Sequence, residues 1–323
     1  MLAMMLMCLP SMAGARQRLQ TIRIAAPAIS PEPIRVRVLT PPGYRRAGGA
    51  GYPVLYLNDG QDLEAVGLRS TLARMQRDGE IAPLIVVAID MPKDRMAGYG
   101  LSDRGKRASV VAQTKYGPVG ANAHAYSEWL AEKLVPHIDA GWNTRRETES
   151  RTLLGWSLGA LNAFSVGWQY PEVFGKVGAF SPSFWLSSRH DDASAVHDSR
   201  IAHALLDAAA RPARPQFFFA VGYAEETDDR DGDGIIDVLD DTLDLMQGWR
   251  DAQGRERKGL RQFGYAIDID VDIGEGAGPG RADAVLYRLP AGEHNQRSWS
   301  RILPAFLRWM DATSATSADR SHP

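Results

Sequence analysis

Two hydrophobic rhythms run along the chain from residue 33 onward. PIRVRVLTPP (33–42) places apolar side chains at every second position, the pattern of a strand with one wet face. YPVLYLND (52–59) and APLIVVAID (82–90) are unbroken apolar runs, as strands buried on both faces of a parallel sheet require. RTLLGW (151–156), KVGAFSP (176–182), QFFFAVG (216–222) and AVLYRLP (284–290) read as further strands. Helical spacing of the apolar positions between them predicts helices over 121–135, 158–170, 200–210, 239–251 and 298–311. Strands separated by helices need crossover connections. The pattern therefore predicts an α/β fold with a mostly parallel central sheet and helices on both faces.

The apolar runs continue without a compositional break, so residues 16–311 are read as one domain. It carries an acidic insert (226–241) and a hairpin insert (264–283). RRAGGAG (45–51) and GAGPG (276–280) are loops. The tail ATSATSADRSHP (312–323) is expected to be disordered.

Composition narrows the picture. Hydrophobic residues make up 44% of the 323 positions and charged residues 24%, an ordinary globular balance. A formal net charge of -2 gives no reason to expect a nucleic-acid partner. No run reaches the ~18 apolar residues of a membrane-spanning helix. The apolar stretch MLAMMLMCLP is followed by SMAGA, where Ala13 and Ala15 form an A-x-A-like cleavage site. Residues 1–15 are read as a secretory signal, although its start lacks Lys and Arg; a misplaced start codon would explain that. Cys8, the only cysteine, would leave with it, so the mature chain would hold no disulfide. The expected destination is periplasmic or extracellular, and nothing in the sequence fixes the oligomeric state.

The candidate chemistry begins at Gly155-Trp156-Ser157-Leu158-Gly159, the only G-x-S-x-G in the chain. A buried-strand run precedes it and a helix follows. On such a sharp strand-to-helix turn the flanking glycines avoid clashes and the serine Oγ stands clear of the sheet. The Leu158 N–H, at the helix start, can donate to a developing oxyanion. Of seven histidines, His294 lies in a loop after the last strand and before the last helix, the position of a general base in the chain order Ser, acid, His. The acid belongs after a strand between them. Glu225, Glu226, Asp228 and Asp229 all qualify, and spacing does not choose among them.

At this point the chain resembles the "Putative esterase" family of α/β hydrolases, which holds enterochelin esterases, feruloyl esterases, S-formylglutathione hydrolase and the mycolyltransferase antigens. The resemblance covers roughly residues 33–311. It rests on YPVLYLNDGQDLE, AYSEWLAEKLVPHIDAGWNT, GWSLGA, VFGKVGAFSPSFW, VGYAE and GEHNQRSWSRILPAFLRW. Carried over by position, it implies Ser157 as nucleophile, Glu225 as acid and His294 as base, with the Gln61 N–H completing the oxyanion site beside Leu158. Gly98-Tyr99 departs from the Glu-Tyr common in relatives, and the two inserts are further departures.

The acidic insert contains Asp229-Arg230-Asp231-Gly232-Asp233-Gly234, with Asp240 at the twelfth position. This D-x-D-x-D-G pattern suits a calcium loop whose ligands would be Asp229, Asp231, Asp233, the Ile235 carbonyl, Asp237 and Asp240. Such an ion would be structural, since serine chemistry needs no cofactor. In IDIDVD (267–272), Asp268, Asp270 and Asp272 read instead as the wet face of a hairpin strand. Trp156, Phe184 and Trp185 follow strand ends and could line an acyl pocket. The function expected is hydrolysis of a small-molecule or carbohydrate ester, of carbohydrate, phenolic or siderophore type. Acyl transfer on the same triad and an inactive calcium-dependent binding module are the alternatives.

Overall fold

The computed structural model describes residues 16–91, 94–209, 214–269 and 282–319, with side chains as far as residue 312. Nine strands form its main sheet: β1 Arg18–Ile24, β2 Ile34–Thr40, β3 Val54–Leu57, β4 Ile85–Ile89, β5 Arg151–Trp156, β6 Lys176–Phe180, β7 Gln216–Gly222, β8 Ile267–Asp268 and β9 Ala284–Leu289. Their spatial order is β1-β2-β4-β3-β5-β6-β7-β9-β8. The β1–β2 and β2–β4 pairings are antiparallel and the others parallel. The unbroken apolar runs become β3 to β7, where almost every residue is buried. Both faces of these strands are covered, which is why no alternation survives in their sequences.

The covering helices are α1 Leu68–Arg77; α2, helical over Ala123–Trp129, Leu130–Leu134 and Val135–Gly141 with a π-helical middle; α3 Leu158–Gln169; α4 Ile201–Asp207; α5 Asp237–Gln247; and α6 Gln296–Asp319. The core divides in two at the sheet. On one side α1 and α6 bring Leu72, Met75, Ile302, Phe306 and Trp309 against Leu55, Leu154 and Phe218. On the other, α2 to α5 pack Leu130, Phe164, Leu206 and Leu245 against Tyr56, Leu153 and Phe217. From Gly159 to Trp168 every residue of α3 is buried, so this helix lies wholly inside the molecule.

Several elements differ from the sequence pattern. β1 was not legible: RLQTIRI is an edge strand with no buried residue. The helix predicted over 239–251 spans Asp237–Gln247, because Gly248 takes φ 89° and ends it. α6 continues to Asp319, so the expected disorder of 312–323 does not begin at 312; residues 312–319 contain no Gly or Pro to stop a helix already formed. Ile267–Asp268 pairs parallel to β9, and most of the expected hairpin insert lies outside the described residues. Asp270 and Asp272, GAGPG and the 1–15 leader lie outside the described residues.

One buried cation yields a test. Lys176 opens β6, and its Nζ donates to the Met310 carbonyl oxygen of α6 at 3.0 Å. Loss of water around the ammonium pulls its pKa down from 10.5 to about 8. Between those values the unfolded chain holds a proton that the folded one has lost, so stability should rise with pH through that window. Urea unfolding across pH 7.5 to 10.5 should show that rise in the parent, and Lys176→Met should flatten it.

Candidate active site

β5 ends at Trp156, and Ser157 turns the chain directly into α3. Its backbone, at φ 57° and ψ -124°, is one that L-residues avoid, at a cost on the order of 1–3 kcal/mol. Four contacts hold it there. The Ser157 N–H donates to the Phe180 carbonyl at 3.0 Å, and its own carbonyl accepts from the Ala160, Leu161 and Ser183 N–H groups. The flanking glycines answer a steric need. A Cβ on Gly155 would collide with the Gly159 carbonyl, and one on Gly159 would lie 2.8 Å from Asp59 Oδ2. The Ser157 hydroxyl faces the buried Ser183 hydroxyl at 3.5 Å.

His294 and Glu225 arrive from the ends of β9 and β7. His294 Nδ1 lies 3.0 Å from Glu225 Oε2. The Glu225 side chain is 2% exposed, the His294 side chain 40%. Glu225 Oε1 accepts from the Gly222 N–H at 2.6 Å and the Ser181 hydroxyl at 2.7 Å. Glu226 points elsewhere: its Oε1 accepts from the Val238 N–H in the first turn of α5, and burial raises its pKa. Of the four acids that spacing left open, only Glu225 meets His294. Among the described residues no hydrogen bond joins Ser157 to His294; in uncomplexed enzymes that bond commonly tightens only with substrate present.

The Asp59-Gly60-Gln61 turn stands against the elbow. Asp59 adopts φ 54° and is held by a two-pronged ion pair with Arg95, at 2.9 and 2.7 Å. Its N–H donates to the Tyr99 hydroxyl at 2.8 Å. Arg95 also reaches the Trp156 carbonyl at 3.3 Å, and Arg37 bonds the Gly60 carbonyl. Asn58 Nδ2 donates to the Gly159 carbonyl at 2.9 Å, while its Oδ1 accepts from the Tyr126 hydroxyl at 2.9 Å. The N–H groups of Gln61 and Leu158 have no acceptor among the described residues. Arg95, Tyr126, Ser181, Ser183 and Trp299 were not singled out in the sequence, and Tyr99 only as part of a departure from the family pattern. Arg95 and Tyr99 lie in DRMAGYG, where the departure at Gly98 leaves this bracing intact.

Of the three aromatic candidates for an acyl pocket, Trp156 and Phe184 belong to the core. Trp156 stacks on Trp299, and Phe184 packs edge-on to Phe164 and Phe219. Trp185 is exposed, as is Tyr223 after β7.

In the acidic insert, Asp229, Asp231 and Asp233 converge, each offering an oxygen within 4.8 Å of the others. Asp237 does not join them: it opens α5, accepts from the Arg230 N–H at 2.8 Å and pairs with the Arg230 guanidinium at 3.0 Å. Asp240 lies on α5, where burial and then the charges of Asp244, Asp241 and Asp231 raise its pKa to about 7. Arg200, buried and paired with Asp241 and Asp244, supplies neutralising charge that the local sequence does not reveal.

The family model described as "Putative esterase" matches residues 28–232. The chain belongs to that family. It is an esterase of the α/β-hydrolase fold, and the matched segment contains Ser157 and Glu225 while His294 lies beyond it. Bacillus subtilis YbbA, an uncharacterized protein, is 28% identical over 199 residues, 59% of this chain and 68% of that one. A ferulic acid esterase superposes with a TM-score of 0.60 at 14% identity, covering 93% of this chain and 99% of its own. The enterobactin esterase of Shigella flexneri superposes with a TM-score of 0.58 at 14% identity, covering 93% of this chain and 60% of its own. These superpositions establish the fold.

The steric reading of the elbow is open to measurement. Gly155→Ala should cost about 3 kcal/mol or more in denaturant unfolding, because backbone must move to admit the methyl group. Gly105→Ala, whose Cβ would meet only Asp103 Oδ1 at 3.5 Å, should stay within about 0.5 kcal/mol of the parent.

Proposed function

We propose that the esterase works through Ser157, His294 and Glu225. The observation that carries this reading is the 3.0 Å Glu225–His294 contact at the sheet edge where the strained Ser157 turn also lies. His294 Nε2 takes the Ser157 proton as Oγ attacks the ester carbonyl, and the Gln61 and Leu158 N–H groups receive the oxyanion. Collapse breaks the ester C–O bond, and His294 returns the proton to the leaving alcohol. Water then attacks the acyl-serine, His294 takes one of its protons, and the acid departs as that proton goes back to Ser157. No cofactor enters these steps. Export to the periplasm or beyond is proposed from the leader alone. The substrates proposed are extracellular esters of carbohydrates or phenolic acids, with siderophore lactones next. The ferulic acid and enterobactin esterases of similar fold support this class, and exposed Trp185 and Tyr223 offer ring faces for such substrates.

Ser157→Ala should lower turnover of a short p-nitrophenyl ester by about 10³-fold or more while the protein melts like the parent. Glu225→Gln should cost about 10²-fold or more, and Glu226→Gln far less. Unchanged turnover in Ser157→Ala would sink the proposal.

We also propose a structural calcium ion in the 229–240 loop, favoured by the convergence of Asp229, Asp231 and Asp233. The Ile235 carbonyl and Asp240 would complete the set, and Asp237 would enter only by giving up Arg230. An ordered loop would steady the segment that follows Glu225. Titration calorimetry on chelator-treated protein should show calcium binding, and calcium should raise the melting temperature. No heat at millimolar calcium, together with Asp231→Ala melting like the parent, would reject the ion.

A further inference from the structure

The structure assigns Trp299 and Ser181 as positioning residues that set the tautomer of His294 through Glu225; the inference rests on the triad reading above. Hydrogen-bond direction carries it. An indole N–H can only donate, and Trp299 Nε1 lies 2.8 Å from Ser181 Oγ. The Ser181 hydroxyl, having accepted that bond, turns its single proton to Glu225 Oε1 at 2.7 Å. With the Gly222 N–H also on Oε1, at 2.6 Å, that oxygen is occupied twice. Oε2 is left for His294. As a carboxylate Glu225 only accepts, so the proton of that bond lies on Nδ1 and Nε2 keeps its lone pair toward the serine. Every link runs one way, from the indole to the imidazole.

The surroundings favour such a device. Ser181 and Trp299 are both buried, so no water competes for the hydroxyl. Ser181 sits at φ 48° directly after β6, held by its N–H bond of 2.7 Å to the Ala220 carbonyl. The Trp299 ring also meets His294 edge-on, with centroids 5.4 Å apart and planes at 79°. On its other side it stacks on Trp156 at 5.4 Å and 15°. Trp156 precedes the nucleophile and donates from Nε1 to Asp62 Oδ2 at 3.1 Å, one residue beyond the Gln61 N–H. A single side chain on the first turn of α6 thus braces the acid, the base and the turn beside the oxyanion site.

The test pairs two deletions at one hydroxyl. Trp299→Phe keeps an aromatic ring but loses the N–H, and Ser181→Ala removes the hydroxyl itself. Each should lower kcat about tenfold on a soluble p-nitrophenyl ester with KM within about twofold. The double variant should be no slower than the worse single one, because the ring is kept and the indole N–H acts only through the hydroxyl. In ¹⁵N NMR of the parent, His294 should show the Nδ1–H tautomer alone, and in both single variants a mixture. Unchanged kcat in both, or additive losses with the tautomer unaltered, would overturn the assignment. Turnover surviving in Ser157→Ala would instead overturn the triad reading, so the two failures are distinguishable.

Discussion

A parallel sheet covered on both faces leaves its chain no room to turn except at the edges. Backbone polar groups inside such a sheet must stay in the ladder, because no water can replace a lost partner. In this molecule β3, β4, β5, β6, β7 and β9 run the same way, so every loop that follows one of them emerges on one side. The Asp59–Gln61 turn, the Arg95–Tyr99 segment, Ser157, Ser181, Glu225 and His294 meet there for that reason. Apart from the Arg95–Tyr99 segment, each lies within about five residues of a strand's end. The rigidity of the strands passes to short segments that could not hold their shapes alone, as the positive φ values at Asp59, Ser157 and Ser181 illustrate.

Much of this was legible in the sequence because it is written in short, repetitive signals. Buried strands announce themselves as unbroken apolar runs, and the elbow as two glycines around a serine. The position of His294, between a strand and a helix, follows from the same rhythm. What escaped was set by distant partners. Glu225 and Glu226 are alike in spacing, and only the family resemblance favoured Glu225; in the fold Glu225 meets His294 across 69 positions and Glu226 the first turn of α5. Ser181 read only as the end of a strand, since nothing near it foretells an indole arriving from residue 299. β1 escaped for the opposite reason, having too little burial to leave a hydrophobic pattern.

The acidic insert shows how charge density misleads when read locally. Residues 228 to 244 hold many carboxylates and one arginine, which suggests a loop forced open by repulsion. In the fold, Arg200 comes from the start of α4 to meet Asp241 and Asp244, and Arg230 folds back onto Asp237 and Asp241. Three of the carboxylates are thereby drawn into an ionic cluster around two arginines. Such a cluster is weak evidence for stability, since desolvation offsets much of its attraction. Its effect is to fix one arrangement of α4 and α5, leaving Asp229, Asp231 and Asp233 as the carboxylates still facing water together.

The order of β9 and α6 in the chain has a consequence for the protein's birth. β9 fits beside β7, and α6 closes one face of the sheet with Phe306 and Trp309. Both belong to the last tenth or so of the described chain. A ribosome delivers residues in order, at about 5–20 per second, and domains fold from what has emerged. While these elements are still inside the ribosome, the nascent chain has its serine but neither its base nor the α6 half of one face of its core. On the triad reading it cannot cleave an ester until the segment carrying His294 has emerged. Chemistry and closure of the core therefore arrive together.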